Sequence, residues 1–252
     1  METITVKNMT IGEGLPKICV PIVAHTKEEI LADAVQVAKS KADFVEWRAD
    51  WFEGAANAEM VQELLHQLGD LLPIPLLFTL RTLQEGGKAD FSAETYLKIN
   101  QAAIDTGCID LLDVEMLQNQ DVAKQLLQSA HAAGVKVIGS SHDFHKTPSV
   151  EDMLTALRSI QDLGADVLKI AVMPQNKCDV LRLLEATTIM REQYAHKPVA
   201  AISMGSLGVV SRITGEVFGS TITFGAVQKE SAPGQLAVDT LHQLLHEIHK
   251  VI

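Results

Sequence analysis

The stretch Val167-Leu168-Lys169-Ile170-Ala171-Val172-Met173 decides the reading of this chain. Six apolar residues enclose one lysine, and a run of this length and composition reads as a strand buried on both faces. Working outward, the same pattern recurs at 18–23, 44–48, 76–81, 110–115, 135–141, 199–204 and 221–224. Amphipathic helical spacing fills the intervals, at 27–39, 58–68, 93–106, 122–133, 150–163, 178–192, 209–218 and 235–250. Ser149 ahead of Val150 is a helix start, and Gly134 and Gly164 are helix stops. Strand and helix alternate eight times without a linker or a low-complexity segment. This predicts an α/β fold, a closed (β/α)8 TIM barrel, with 1–252 as a single catalytic domain close to the usual size of roughly 250 residues. Ahead of Ile18, alternation over 3–6 and a turn at Gly12 and Gly14 predict an N-terminal β-hairpin plugging the barrel bottom.

Composition narrows the function classes. Hydrophobic residues make up 47% of the chain but aromatics only 4%, so aliphatic side chains must fill the core. A formal charge of −11 argues against a nucleic acid or an anionic membrane as partner, since both select basic faces. Cys19, Cys108 and Cys178 show no metal-ligand spacing and read as reduced thiols of a cytoplasmic protein. The first ten residues are polar, unlike a secretory signal. The most apolar segment, 71–80, is interrupted by Pro73 and Pro75 and is too short to span a bilayer. The expected partner is a small-molecule substrate.

A barrel of this kind carries its chemistry at the C-terminal ends of its strands. Those ends hold Glu46 and Arg48, Thr79 and Arg81, Asp113 and Glu115, then His142. Period-two alternation places each pair on one face, with Trp47 opposite Glu46. Lys169 lies mid-run in the sixth strand, Arg212 follows the seventh, and Ser231 and Gln235 follow the eighth. Each has a plain structural reading. Lys169 suits a buried ion pair, His142 a hydrogen-bonded loop imidazole, and Glu46 with Arg48 an ion-pair ring. Arg81 and Arg212 suit solvated loops, Ser231 and Gln235 the cap of the last helix, and Asp113 and Glu115 the balancing of arginines.

Together these residues point to one chemistry. An ammonium buried beside arginines loses hydration and meets like charge, which favours a free amine. An amine attacks a ketone and forms an imine. The protonated imine acidifies the neighbouring carbon, and a histidine in reach removes that proton and returns it to a leaving hydroxyl. Arginines at the rim grip a substrate carboxylate. Neither a dinucleotide fingerprint nor a phosphate-binding loop motif is found, and no cofactor or metal is expected.

Six ordered motifs carry a family resemblance: Glu46-Trp47-Arg48; Phe78-Thr79-Leu80-Arg81 with Glu85-Gly86-Gly87; Ser141-His142-Asp143-Phe144-His145; Lys169-Ile170-Ala171-Val172-Met173-Pro174; Gly215-Glu216-Val217-Phe218-Gly219-Ser220; and Ser231-Ala232-Pro233-Gly234-Gln235. From about Pro16 to the C-terminus the chain resembles the type I 3-dehydroquinate dehydratases. The resemblance implies a cofactor-free, dimeric barrel of the shikimate pathway that converts 3-dehydroquinate to 3-dehydroshikimate and water. It implies Lys169 as the imine-forming residue, His142 as acid and base, and Glu85 as its orienting carboxylate. It implies substrate contacts at Glu46, Arg48, Arg81, Arg212, Ser231 and Gln235, with Met204 and Phe224 as apolar walls. Two places depart from the family pattern. Pro21 stands where a serine is common, and the seventh loop reads Met204-Gly205-Ser206-Leu207-Gly208 where many members have Met-Ala-Lys-Glu-Gly.

Two other readings compete. A Schiff-base aldolase acting on a phosphorylated sugar would use Gly205-Ser206 at a phosphate site. Arginines suited to a carboxylate speak against it. A non-catalytic, metabolite-binding barrel would keep the fold but lose the site, whereas every chemically essential position is filled.

Overall fold

The computed structural model of the protein describes residues 2–227 and 230–252. The chain opens with strands β1 (Ile4–Val6) and β2 (Met9–Ile11), an antiparallel hairpin in which Val6 faces Met9. The turn is Lys7-Asn8, where Lys7 adopts φ 51, and not the expected Gly12/Gly14. The reason is that alternation runs on through Met9 and Ile11, both buried, so the hairpin must close before them. The Lys7 ammonium reaches Asp110 at 2.8 Å and fastens the turn to the barrel bottom.

The barrel follows: β3 (Lys17–Ile22), α1 (Lys27–Ala38), β4 (Phe44–Arg48), α2 (Ala58–Leu71), β5 (Leu76–Thr79), α3 (Ala93–Asp105), β6 (Leu111–Glu115), α4 (Gln120–Ala132), β7 (Lys136–Asp143), α5 (Val150–Asp162), β8 (Val167–Val172), α6 (Lys177–Ile189), β9 (Val199–Ser203), α7 (Val209–Ile213), α8 (Gly215–Phe218) and β10 (Ile222–Ala226). A two-residue strand, β11 (Leu236–Ala237), and helix α9 (Val238–His249) complete it. Strands β3 to β9 pair in parallel in chain order, and β10 pairs with β3. The ring closes between β9 and β10 through little backbone. Thr221 N donates to the Val199 carbonyl at 2.7 Å, and Ser220 Oγ accepts from Ala201 N at 3.0 Å. At the bottom rim, Asp43, Asp110 and Asp166 each accept an N–H from the first two residues of a neighbouring strand, from Ile18, Leu76 and Val137. These aspartates satisfy donors that no ladder partner reaches.

Local chemistry sets the helix ends. Ser149 Oγ accepts from Asp152 N at 3.1 Å, and Gly134 and Gly164 turn the chain out of their helices at φ 77 and 101. The expected helix at 209–218 is instead two short helices broken at Thr214. Just past the break, Gly215 backs so closely on Ser220 O that a Cβ there would lie 2.7 Å away. The expected start of the last helix at Gln235 moves to Val238.

Side chains sort by alternation. Trp47 and Phe78 point outward to the helices, edge to face at 5.5 Å. In the lumen, Phe44, Leu77, Leu111, Ile138 and Val167 pack on hairpin residues Ile4, Val6, Met9 and Ile11. The hairpin thus plugs the N-terminal mouth, and polar side chains are left to the other. No helix among the described residues is long and apolar enough to cross a membrane.

Candidate active site

Barrel side chains stack in layers, each drawn from alternate strands. One layer at the C-terminal end takes Glu46 from β4, Asp113 from β6, Lys169 from β8 and Phe224 from β10. The Lys169 ammonium, 5% exposed, donates to Asp113 Oδ2 at 2.9 Å, lies 4.0 Å from Glu46 Oε1 and sits 4.8 Å from the centre of the Phe224 ring. Thr79 Oγ1 donates to Glu46 Oε1 at 2.8 Å and fixes that carboxylate. Carboxylates rather than arginines are therefore the direct neighbours of the amine, which corrects the sequence expectation: the alternate-strand stagger puts the arginines one layer above.

That next layer holds Arg81 and His142, from the ends of β5 and β7. Arg81 Nη2 donates to Asp113 Oδ1 at 2.6 Å; its Nη1 donates to Glu115 Oε1 at 3.0 Å and Ser140 Oγ at 3.1 Å, and lies 3.6 Å from Glu85 Oε2. It is a buried hub and not a solvated loop residue. Burial opposes ionisation of Asp113, yet Arg81 and Lys169 hold its carboxyl well below the usual carboxylate range. His142 Nδ1 pairs with Glu85 Oε2 at 2.8 Å, which leaves Nε2 for the pocket. Burial, aided by the Arg81 and Lys169 charges, pulls His142 well below the ordinary imidazole value. Burial also pushes Glu85 up to about 8, against the pull of Arg81. The tautomer that donates from Nδ1 to Glu85 Oε2 leaves the Nε2 lone pair free as a base.

Glu85 closes a short 3-10 turn, Leu83–Glu85, and Gly86 and Gly87 then fold the loop back over it. A Cβ at Gly87 would lie 2.1 Å from the Arg81 carbonyl oxygen, and one at Gly86 would lie 2.3 Å from the Phe144 ring. Only glycine lets this loop bring the carboxylate down to His142.

Arg212, 1% exposed, rises from α7 on the opposite side. Its Nη2 donates to the Pro233 carbonyl at 3.1 Å and its Nη1 to that of Phe224 at 3.5 Å, while its Nε is buried without a hydrogen-bond partner. Burial brings its pKa down to about 10, with Glu230 acting the other way. Ser231 and Gln235 bond to each other: Ser231 N donates to Gln235 Oε1 and Gln235 Nε2 donates to Ser231 Oγ, both at 2.9 Å. They do not cap α9, whose N-cap, Ala237, has no side-chain bond.

One pocket is lined by all eleven sequence-predicted residues: Glu46, Arg48, Arg81, Glu85, His142, Lys169, Met204, Arg212, Phe224, Ser231 and Gln235. Phe144, Ala171, Ile202 and Ala232 also line it. Alternation alone points to Ala171, two residues past Lys169, and Ile202, two before Met204. Pro21 is not among the lining residues; it pairs with Glu46 in the ladder. Asp50, which the sequence reading passed over, takes the Arg48 guanidinium in a two-bonded fork at 2.8 and 2.9 Å. Among the described residues no cluster of three or more His, Cys, Asp or Glu side chains has the geometry to hold a metal ion.

Fold and pocket together define the class: a (β/α)8 barrel with a buried lysine and histidine at its C-terminal mouth. The chain belongs to the type I 3-dehydroquinase family, whose sequence model it matches over residues 18–252. It is 46% identical to the 3-dehydroquinate dehydratase of Clostridioides difficile strain 630, over 99% of this chain and 98% of the relative. It is also 46% identical to the 3-dehydroquinate dehydratase of Shigella dysenteriae, over 99% and 100% of the two chains. A crystal structure of the type I enzyme from Clostridium difficile with covalently modified comenic acid superposes with a TM-score of 0.97. It is 46% identical and covers 100% of this chain and 99% of that one.

Proposed function

We propose that the protein dehydrates 3-dehydroquinate to 3-dehydroshikimate through an imine on Lys169, within the shikimate pathway. One observation carries the reading: a buried amine 2.9 Å from Asp113, one strand away from an imidazole whose Nδ1 is held by Glu85. The freed amine attacks the ketone, and the carbonyl oxygen leaves as water. The resulting iminium carries its positive charge where the ammonium stood, so Asp113 and Glu46 stabilise it without reorganising. His142 Nε2 takes the proton from the adjacent carbon, and the electrons left behind flow toward the iminium. The same proton then goes to the departing hydroxyl, and hydrolysis of the imine restores the amine. Arg212, which among the described residues bonds to carbonyl oxygens and to no carboxylate, receives the substrate carboxylate in this scheme. Arg48, Ser231 and Gln235 hold its hydroxyls, and Met204 and Phe224 flank the ring. The same reading makes the whole 1–252 barrel one catalytic unit of a cytoplasmic homodimer; light scattering at twice the chain mass would accord with the dimer.

Borohydride reduction tests the imine. With 3-dehydroquinate present it should inactivate irreversibly, adding one ligand per chain at Lys169 by intact mass and peptide mapping. A phosphorylated ketone labelling Lys169 where the cyclic acid does not would mean an aldolase. Full dehydratase turnover that survives borohydride unlabelled would sink the imine mechanism.

A further inference from the structure

We propose that Asp50 is a positioning residue: it aims the Arg48 guanidinium into the pocket and ties it to the loop that carries Glu85. The inference rests on the dehydratase reading above. Asp50 lies in the 3-10 turn Ala49–Trp51 that follows β4, and its side chain is fully buried. Its Oδ1 accepts from Arg48 Nε at 2.8 Å and its Oδ2 from Nη2 at 2.9 Å. A planar fork met by a planar carboxylate stops rotation of the guanidinium, and the edge that remains, Nη1, is the one available to the pocket Arg48 lines.

The same carboxylate reaches further. Asp50 Oδ2 also accepts from Lys88 N at 3.2 Å, while the Lys88 ammonium lies 4.2 Å from the centre of the Trp51 ring. Two contacts thus clasp Lys88 to the turn after β4, three residues beyond Glu85. Gly86 and Gly87, pressed on Phe144 and on the Arg81 carbonyl, leave this segment little room to shift by itself. Substrate grip by Arg48 and the carboxylate behind His142 therefore share one anchor. A buried ion pair earns little net stability after desolvation, so its value here lies in orientation, which lowers the cost of aligning a substrate.

The test is a double-mutant cycle of Asp50→Asn and Arg48→Lys, read by steady-state kinetics with 3-dehydroquinate. Arg48→Lys keeps the charge and removes the fork. Each single variant should raise KM about tenfold with a smaller change in kcat, and the double variant should also stay near about tenfold, because both remove one arrangement. A purely structural role would lower the folded fraction, and hence apparent kcat, at wild-type KM. Wild-type KM in Asp50→Asn, or factors that multiply in the double variant, would overturn the proposal. Should Asp50→Asn fail to fold, Arg48→Lys decides alone: a raised KM supports the proposal and a wild-type KM overturns it. Absence of turnover in the wild-type protein would instead refute the dehydratase reading.

Discussion

The two sides of the pocket follow opposite electrostatic plans. On the β4–β8 side, Lys169 and Arg81 share Asp113 between them, Arg81 also holds Glu115, and Glu46 stands 4.0 Å from the amine. Each cation there has an anion. On the β9–β10 side, Arg212 is as deeply buried, but among the described residues its guanidinium bonds only to the carbonyl oxygens of Phe224 and Pro233, and its Nε has no partner there. Bond-making needs charges whose surroundings are already in place before substrate arrives. Binding an acid needs the reverse, a buried cation that only the ligand completes. The contrast divides the labour: the saturated side does chemistry and the unsaturated side supplies recognition.

The largest effects should fall on the saturated side. Lys169→Met should abolish turnover and borohydride labelling together, because the bond-forming amine is gone. His142→Ala should still label at Lys169 while turnover falls by about 10²–10⁴. Equal loss of labelling in both variants would mean that His142 shapes the pocket instead of moving protons.

Next come the two buried arginines, whose replacements should separate stability from activity. Arg81→Met strands Glu115 without its cation and leaves Asp113 to Lys169 alone, at a cost of about 3–5 kcal/mol in folding stability. Arg212→Met removes a buried charge that, among the described residues, no carboxylate meets at ion-pair distance, so Tm should hold or rise. Its kcat/KM should nevertheless drop by about 2–5 kcal/mol of transition-state binding. Thermal melts and kinetics on the two variants check this; a large loss of stability in Arg212→Met would erase the contrast.

Much of this was legible in the sequence, and the misses have a common cause. The strand-end rule and two-residue alternation are local, and they brought eleven residues to one pocket. What alternation does not contain is the stagger around the ring, so the ring of arginines and carboxylates expected about Lys169 carries no order of distance, and Asp113 and Glu46 prove to be the nearest. The alternate-strand layering of barrels carries that signal, since β4, β6 and β8 share a layer. Asp50 was missed because it follows the strand, where alternation stops and a 3-10 turn reverses its side chain onto Arg48. The hairpin turn and the start of α9 were misplaced because glycine and polar residues mark several turns, and tertiary packing chooses among them. Ser231 and Gln235 have the composition of a cap, but the chain between them folds so that they bond each other.

A smaller effect reads the acid–base pair through stability. Burial raises Glu85 from 4.5 to about 8, so the fold favours its protonated form. That contribution is complete below 4.5 and is lost as pH climbs toward about 8. His142 is shifted down from 6.5, and its contribution runs the other way, present above 6.5 and lost as pH falls below it. The two oppose each other on the acid side, so the window from 6.5 to about 8 belongs to Glu85. Denaturant melts of the substrate-free protein should show stability falling with pH across this window, and Glu85→Gln should flatten the slope. An unchanged slope in Glu85→Gln would remove Glu85 as its source.

The smallest expected effect sharpens the recognition side. Gly234 adopts φ 80, and a Cβ on it would lie 2.3 Å from the carbonyl oxygen of Gly205. Gly205 N in turn donates to the Pro233 carbonyl at 2.9 Å, the same oxygen that accepts from Arg212. The departure from the family pattern at Gly205-Ser206 thus touches the pocket through Pro233 and Gly234, not through the Lys169–His142 pair. Gly234→Ala should push the Ser231–Gln235 loop off Gly205 and loosen the hold on Arg212. A left-handed alanine costs about 1–2 kcal/mol. If that cost falls on the substrate-bound arrangement, KM rises by roughly five- to thirty-fold. Labelling of Lys169 by borohydride at saturating 3-dehydroquinate should be unaffected, because the saturated side is untouched. Loss of labelling at saturation would show that the two sides are coupled, and the division of labour between them would have to be abandoned.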